Sequence, residues 1–343
     1  MPPSPGLLKL LHGFVAASPA MTDVLTRVEW YARANTPIVL VGEPGTGKTT
    51  LAAVVHTASG RRGPLSAHTA REFDPQLQRS QLFGHEAGAF TGAHGRHIGV
   101  FEEAADGTLL LDDFHHLRRS TQMLLLRALG SGHFRRVGGS RDLPLRCRLV
   151  VGLTRSPDWL LHRRRLVPEL RSRLGFSMIR LPRLEQRIDD IPLLSQRFLD
   201  RCPLEVGKLG PSRFANDVVP ALQRAAWPGN VRDLGMVIRE GYLRAEGTDL
   251  LELRHVADVI RLPDRYRQRG DPSTNLKAIR RALEMTNGDV DRAARFLGAG
   301  RTTIYRYLAR FGAAAADSGQ SHSPDQAVPW DERHVEASRA ASA

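Results

Sequence analysis

The 343-residue sequence is poor in cysteine, lysine and aromatic side chains. Its two cysteines, Cys147 and Cys202, give neither a disulfide framework nor the spacing of a metal site. Arginine carries nearly all of the positive charge, because the chain has only four lysines: Lys9, Lys48, Lys208 and Lys277. The formal net charge of +13 therefore has two explanations, a polyanionic partner or a GC-rich coding sequence.

Long apolar runs are also missing. No stretch approaches the roughly 20 apolar residues that span a bilayer, and residues 1–9 lack the apolar core of a signal peptide. The 13 histidines follow no metal-binding pattern, and the pair His115-His116 fits a surface or packing position better than a ligand set. We therefore expect a cytoplasmic protein with no membrane partner and, at 41% hydrophobic and 25% charged residues, a globular fold of two or three domains.

Residues 42–49 match the phosphate-binding pattern GxxxxGK[ST] at every fixed position. An apolar run at 37–41 precedes them and a helical pattern at 48–58 follows, which is the strand–loop–helix context of a P-loop. Its glycines let backbone N–H groups face phosphate oxygens, Lys48 reaches the outer phosphates, and the Thr49 hydroxyl binds Mg²⁺. The alternative is an ordinary glycine-rich turn. The predicted nucleotide-binding residues are Gly42, Glu43, Pro44, Gly45, Thr46, Gly47, Lys48 and Thr49.

About sixty residues later, residues 107–113 form an apolar strand pattern that ends in Asp112-Asp113. Alone, this pattern is explained nearly as well by a helix cap at Asp113. Together with the P-loop it indicates a Walker B segment, in which Asp112 binds Mg²⁺ and Asp113 orients or deprotonates the attacking water.

The chain alternates predicted strands and helices up to residue 182, which favours an α/β fold with a parallel sheet. Further strands are predicted at 148–152 and 176–181 and a helix at 122–129. From 191 to 260 strand signals vanish and amphipathic helices dominate. Residues 262–275 read as a polar linker, and the alanine- and serine-rich end after 312 is predicted to be disordered.

A glycine-bracketed segment, residues 88–93, separates the two nucleotide motifs. Its flanking glycines predict a mobile tip that presents Phe90-Thr91 to a partner, whereas a turn that packs Phe90 into the local core is the alternative. The segment reads GAFTGA and resembles, at six of six positions, the signature of the NtrC family of AAA+ activators, which act on sigma-54 RNA polymerase. The resemblance implies that the sigma-factor contact consists of Gly88, Ala89, Phe90, Thr91, Gly92 and Ala93.

Other segments extend the resemblance from about residue 14 to 312. Residues 227–234 are similar to the family's sensor II segment, which implies that Arg232 contacts the nucleotide. Residues 169–174 are similar to its arginine-finger segment, which implies that Arg173 reaches a neighbouring subunit's γ-phosphate; a surface arginine is the alternative. Thr154 takes the sensor I position in the nucleotide site. The family's chemistry further implies ATP with Mg²⁺ and a homo-oligomeric ring, a hexamer built from dimers.

The sequence departs from the family pattern at its catalytic positions. Asp113 stands where the family has glutamate, Thr69 and Thr154 stand where it has asparagines, and Val167 replaces an arginine. The shorter side chains make nucleotide binding a firmer expectation than fast hydrolysis. Because about a dozen residues precede the match, we expect no receiver domain and no control by phosphorylation of one.

Residues 276–311 read as three short helices and resemble the Fis-type helix-turn-helix of the same family. Eight basic and three acidic residues give this segment a charge of +5, which is the charge pattern of a DNA-binding unit; a protein-docking module is the alternative. Ala293, Ala294, Leu297, Ile304 and Leu308 are predicted to pack the helices. The predicted DNA contacts are Arg301, Thr302, Thr303, Tyr305 and Arg306.

The predicted organisation is a short segment at 1–13, an ATPase subdomain at 14–182, a helical lid at 183–261, a linker at 262–275, a helix-turn-helix domain at 276–312 and a tail at 313–343. The leading hypothesis is an ATP-dependent activator that binds double-stranded DNA upstream of promoters and remodels sigma-54 RNA polymerase holoenzyme. One alternative is a DNA-binding regulator that binds nucleotide without hydrolysing it. Another is a P-loop protein that acts on DNA itself, which gives the GAFTGA segment no purpose.

Overall fold

The computed structural model describes residues 14–174, 177–207, 209–245, 247–260, 281–283 and 288–297, together with residues 279, 286 and 304. In chain order the strands are β1 (Ile38–Val41), β2 (Leu65–Thr69), β3 (Thr108–Asp112), β4 (His133–Phe134), β5 (Leu143–Pro144), β6 (Arg148–Leu153), β7 (Met178–Arg180), β8 (Arg213–Phe214) and β9 (Leu250–Leu251). Within these residues the main sheet is parallel, with the strand order β2-β3-β6-β1-β7.

Helices pack on both faces of this sheet and form the segment that follows it. In chain order they are α1 (Pro19–Ala32), α2 (Lys48–Ser59), α3 (Gln78–Phe83), α4 (Val100–Glu103), α5 (Arg119–Ser131), α6 (Pro157–His162), α7 (Pro168–Leu174), α8 (Ile191–Val206), α9 (Val218–Arg224), α10 (Asn230–Arg244) and α11 (Val290–Leu297). Short 3₁₀ turns lie at Phe114–His116, Leu184–Gln186, Ile188–Asp190 and Leu253–His255. No helix in the described part of the chain is long and apolar enough to cross a membrane.

Strand β1 shows why this sheet has two buried faces. Alternate residues of a strand point to opposite sides. Ile38 and Leu40 join the core formed with α1 and α2, while Val39 and Val41 join the core on the other face. All four side chains are buried, and each contributes about 1.5–3 kcal/mol to folding.

The predicted strands at 37–41, 107–113 and 148–152 are confirmed, each within one residue of its bounds. Part of the predicted strand at 176–181 lies outside the described residues; the remainder contains β7. Edge strand β2 was not predicted from the sequence, and none of its side chains is fully buried. The expectation that strands vanish after residue 191 is wrong in one detail, because β8 and β9 pair in parallel.

Buried Arg148 ties the start of β6 to the end of α1. Its guanidinium donates to the carbonyl oxygens of Ala32, Tyr31 and Thr36. The last carbonyls of a helix lack the regular partner within the helix, so Arg148 supplies donors at the end of α1, where the Tyr31 carbonyl also accepts the Ala34 N–H. Burial lowers the pKa of Arg148 to about 10, which leaves the side chain charged at neutral pH.

The segment after the sheet is a compact helical unit built on α8, α9 and α10. Trp227 is buried in its core and donates its indole N–H to the Leu222 carbonyl at 3.0 Å. The first turn before α8 is tied back to α1, because buried Asp190 accepts hydrogen bonds from the backbone of Ala17 and Ser18 at 2.7 Å. The helical unit is therefore anchored to the sheet region at the point where it begins.

The described part of the C-terminal segment contains α11 and a small apolar cluster. Asp289 caps this helix, because its carboxylate accepts hydrogen bonds from the backbone N–H groups of Asp291 and Arg292. Packing of the predicted core residues is confirmed for four: Ala293, Ala294, Leu297 and Ile304. Leu308, the linker at 262–275, the tail and the predicted DNA contacts lie outside the described residues.

Candidate nucleotide site

The loop at residues 42–49 follows buried strand β1 and runs directly into α2. Gly45 and Gly47 adopt φ values of 77° and 104°, which a side chain would strain. Lys48 is 5% exposed, and its ammonium group donates to the Gly42 carbonyl at 3.1 Å. This hydrogen bond folds the lysine back along the loop, so the ammonium group lies at the mouth of the backbone cradle.

The helical unit closes over this loop at the start of α10. The Val231 N–H donates to the Gly45 carbonyl at 3.0 Å, and the Asn230 side chain donates to the Pro44 carbonyl at 3.1 Å. The contact is so close that a Cβ on Gly45 would lie 2.0 Å from the Gly229 carbonyl oxygen. The lid and the loop therefore touch through backbone, and only glycine fits at residue 45.

A cavity of roughly 580 Å³ lies between the loop, the ends of the strands and the lid. The ends of the strands contribute Thr69, Asp112, Asp113 and Thr154. The loop and α2 contribute Pro44, Gly45, Gly47, Lys48, Thr49 and Thr50, and the lid contributes Phe198, Cys202, Glu205, Val231, Arg232, Gly235, Met236 and Arg239. Its size is within the roughly 300–1,000 Å³ range of small-molecule sites.

Asp112 is placed to serve a cation beside the loop. Its Oδ1 atom lies 3.6 Å from the Lys48 ammonium nitrogen and accepts the Asp113 N–H at 2.8 Å. Gly152 makes the space, because a Cβ there would lie 2.1 Å from this oxygen. One carboxylate and the Thr49 hydroxyl border the same cavity, which is the oxygen donor set that Mg²⁺ uses alongside phosphate oxygens. In the described ranges, this site included, no group of three or more His, Cys, Asp and Glu side chains is arranged to hold a metal.

Asp113 is held by an arginine that the sequence analysis did not single out. Its Oδ2 atom lies 2.7 Å from the Nε atom of Arg71, and its Oδ1 atom is buried without a hydrogen-bond partner among the described residues. The backbone of Asp113 has a φ of 50°, in the left-handed region. In this arrangement Arg71 holds one carboxylate oxygen of Asp113, and the other is buried.

The other substituted positions fall into two groups. Thr69 and Thr154 line the cavity together with Asp112. Val167 is 1% exposed and packs in the core, and its N–H donates to Gln122 at 3.0 Å. Arg173 is exposed on α7 and is not among the residues that line the cavity of its own chain.

Some residues predicted to bind nucleotide serve the loop rather than the cavity. Thr46 is 1% exposed, and its hydroxyl donates to the Glu43 carbonyl at 2.8 Å. The Glu43 carboxylate pairs with Arg183 at 2.5 Å. Gly42 donates its N–H to the Leu153 carbonyl. These three residues do not line the cavity, whereas Pro44, Gly45, Gly47, Lys48, Thr49, Thr154 and Arg232 do.

The GAFTGA segment follows His85 and Glu86, which we call its stem, and ion pairs hold this stem in place. Arg136, which is 9% exposed, pairs with Glu86 at 2.7 Å and with Glu102 at 2.5 Å. Above the stem, Gly88 donates its N–H to the Ala93 carbonyl at 2.8 Å, and Gly88 and Gly92 have φ values of 77° and 95°.

At the tip of this loop Thr91 and Gly92 are exposed. Phe90 is 36% exposed, and its ring contacts the edge of His85 at a centroid distance of 5.0 Å. The aromatic side chain thus rests on the stem and is not buried in a core.

Known proteins are similar to this chain over most of its length. The chain is 33% identical over 304 residues to the transcriptional regulatory protein GlrR of Escherichia coli K12, covering 87% of this chain and 68% of that protein. It is 31% identical over 328 residues to the DNA-binding transcriptional regulator NtrC of Klebsiella pneumoniae, covering 87% and 70%. Residues 14–180 match the family described as Sigma-54 interaction domain. The chain belongs to the sigma-54 activator family.

Two further family matches cover the rest of the described fold. Residues 185–273 match the AAA+ ATPase lid domain, and residues 276–311 match the Fis family of bacterial regulatory proteins. The structure of NtrX from Brucella abortus in complex with ADP is similar, with a TM-score of 0.65 at 25% identity over 89% of this chain and 71% of that chain. The predicted fold class is therefore confirmed for this sigma-54 activator: a parallel-sheet P-loop NTPase with a helical lid and a helix-turn-helix domain.

Three residues that support the site were missed by the sequence analysis. Arg71 holds Asp113, and Asn230 links the loop to Leu184, whose N–H donates to the Asn230 side chain at 2.8 Å. Buried Arg187 donates to the Thr46 carbonyl at 2.6 Å. Arg187 and Asn230 lie within the segments that resemble the family's lid, but neither has a local pattern that indicates its partner.

Proposed function

We propose that this sigma-54 activator hydrolyses ATP and uses the hydrolysis cycle to remodel the closed complex of sigma-54 RNA polymerase. The observation that carries the proposal is one cavity bordered by Lys48, Thr49, Asp112, Asp113 and Arg232. Phosphoryl transfer depends chiefly on positioning and on charge stabilisation, and these residues supply both kinds of group.

Each of these side chains has a separate task in the proposal. Lys48 and Arg232 hold the phosphate oxygens, one from the loop and one from the lid. Thr49 and Asp112 would hold Mg²⁺, which supplies positive charge to the outer phosphates. Once the Asp113 carboxylate separates from Arg71, it orients the attacking water. The hydroxyl groups of Thr69 and Thr154 form hydrogen bonds with that water or with the phosphate.

We further propose that the chain works as a ring, in which Arg173 serves the nucleotide of a neighbouring copy. The exposed position of Arg173 and its absence from its own cavity support this role. Val167, where the family pattern has an arginine, is apolar and buried and supplies no charge. We therefore assign the role to Arg173 alone.

The proposed contact with sigma-54 is the loop tip at Phe90-Thr91. Two glycines in the left-handed region let the tip change shape, while the Arg136 pairs hold its stem. The proposed contact with upstream DNA is the helix-turn-helix, through Arg301, Thr302, Thr303, Tyr305 and Arg306, which lie outside the described residues.

Open-complex formation with sigma-54 holoenzyme tests this function. Permanganate footprinting of promoter DNA should show melting with wild-type protein and ATP, and none with Thr91→Ala. Phosphate release by Thr91→Ala should remain within about twofold of wild type, because residue 91 lies outside the cavity. Melting by wild-type protein without any nucleotide would show that the proposal is wrong.

A second candidate is a DNA-binding regulator in which ATP sets only the assembly state. The Arg71–Asp113 pair favours it, because one oxygen of the water-orienting carboxylate is held and the other is buried. This second candidate predicts that the wild-type protein binds ATP tightly and releases phosphate no faster than the Asp113→Asn variant. Sustained turnover by the wild-type protein would exclude this candidate.

A further inference from the structure

A second cavity, of roughly 240 Å³, lies on the far side of the turn at Phe114–His116. We call it the arginine cavity. It is lined by residues 115–119, Gln122 and residues 164–167, and it shares no lining residue with the nucleotide cavity. Four of its lining side chains are arginines: Arg118, Arg119, Arg164 and Arg165.

The charges around the arginine cavity are not balanced. No acidic side chain lines it, and none of its four arginines forms an ion pair with a described residue. The nearby carboxylate of Asp113 is already paired with Arg71. Four guanidinium groups around one space repel each other, and an anion that enters it removes this repulsion.

The N-terminus of α5 adds positive potential at the same place. This 13-residue helix has Arg118 at its N-cap, no side-chain cap and no acidic residue in its first turn. Its first backbone N–H groups have no acceptor within the helix, so they are available to an anion.

His115 adds a polar side chain to the lining of the cavity. Its Nδ1 atom is buried without a hydrogen-bond partner among the described residues, although the side chain lines the cavity. Burial, and then the neighbouring His116, lower the pKa of His115 to about 4, while Asp113 acts in the opposite direction. The ring is therefore neutral at pH 7 and has one N–H to donate.

The floor of the cavity is rigid. Gln122 is 2% exposed; its amide donates to the carbonyl oxygens of Leu117 and Arg165 and accepts from the Val167 N–H. Gln122 thus connects residues 115–119, which carry two of the arginines, to residues 164–167, which carry the other two.

We propose that the arginine cavity is a second anion site, which binds a phosphate or pyrophosphate group. Guanidinium forks bind phosphate oxygens in pairs, and the multiple negative charge of a phosphate group balances four guanidinium groups better than the single charge of a carboxylate or chloride ion. The volume is below the roughly 300 Å³ at which pockets for whole small molecules begin, so the site takes a phosphoryl group and not an entire nucleotide. The group comes either from a free anion or from a nucleotide bound by a neighbouring copy.

The free-anion source is tested with the full chain after its nucleotide site is saturated with a fluorescent ADP analogue. Pyrophosphate is then titrated by calorimetry at constant ionic strength, while the fluorescence reports whether ADP stays bound. The double variant Arg118→Gln/Arg165→Gln should raise the dissociation constant for pyrophosphate about tenfold or more, which is the loss expected for two charge-assisted contacts. The matched control Arg33→Gln/Arg224→Gln removes two exposed arginines elsewhere and should change it less than about twofold.

The second source is tested by sedimentation in the presence of a slowly hydrolysed ATP analogue. If a neighbour's phosphates fill the cavity, nucleotide-driven self-association should weaken about tenfold in the double variant and not in the control. A defect in either experiment supports the anion site and identifies its source. Equal behaviour of the double variant and the control in both experiments would overturn it, whatever the outcome for ATP hydrolysis at the nucleotide cavity.

Discussion

Replacing Arg71 by alanine should speed ATP hydrolysis, because Arg71 withholds the carboxylate that orients the water. The Nε atom of Arg71 lies 2.7 Å from Oδ2 of Asp113, and the side chains of the two residues are 58% and 17% exposed. An ion pair of this exposure contributes at most about 1 kcal/mol after solvent screening. If hydrolysis requires that the pair break, its removal lowers the barrier by the same amount, which is about fivefold in rate.

The assay is steady-state phosphate release at saturating ATP. Arg79→Ala is the matched control, since Arg79 is an exposed arginine eight residues along the chain and does not line the cavity. The gain in Arg71→Ala should vanish when Asp113→Asn is added, because the effect acts through that carboxylate. Slower release in Arg71→Ala than in Arg79→Ala would refute the reasoning and would show that the guanidinium assists hydrolysis.

Three further predictions follow from single contacts. Gly45→Ala should weaken ATP binding more than about tenfold in a nucleotide titration, because the new Cβ would lie 2.0 Å from the Gly229 carbonyl oxygen at a φ of 77°. The control Gly60→Ala, at a φ of 66° with open space around it, should leave ATP binding unchanged. Arg148→Met should lower the free energy of unfolding, measured in urea, by about 3 kcal/mol, because three carbonyl groups each lose a hydrogen bond worth about 1 kcal/mol. A decrease of less than about 1 kcal/mol would contradict this prediction. Arg136→Gln should speed proteolytic cleavage within the GAFTGA loop and leave ATP affinity unchanged, because it removes the ion pairs of Arg136 with Glu86 and Glu102. Cleavage at the wild-type rate would show that these ion pairs do not hold the loop in place.

The parts of the fold that the sequence predicts are those with strong local patterns. The P-loop and strands β1, β3 and β6 combine apolar runs with glycine or aspartate at their ends, so they are readable without tertiary information. Strand β2 was missed because it lies at the edge of the sheet, where its polar residues Ser66 and His68 break the apolar pattern.

The interactions within the site were less predictable, because they join residues distant in sequence. Arg71 reaches Asp113 across two neighbouring strands, and the pattern of the family directs attention to Thr69 instead. The backbone contact of Gly45 with Gly229 likewise depends on how the lid packs on the loop. Such contacts follow from the packed structure and have no signal in local composition.

The measurement that tests the central claim most directly is promoter melting in the presence of ATP or of its non-hydrolysable imido analogue. The reaction contains sigma-54 holoenzyme, promoter DNA with its upstream site, and either wild-type protein or Asp113→Asn. The account predicts open complexes only with wild-type protein and ATP, at a rate that follows phosphate release. Equal melting with the imido analogue, or by Asp113→Asn with ATP, would contradict it.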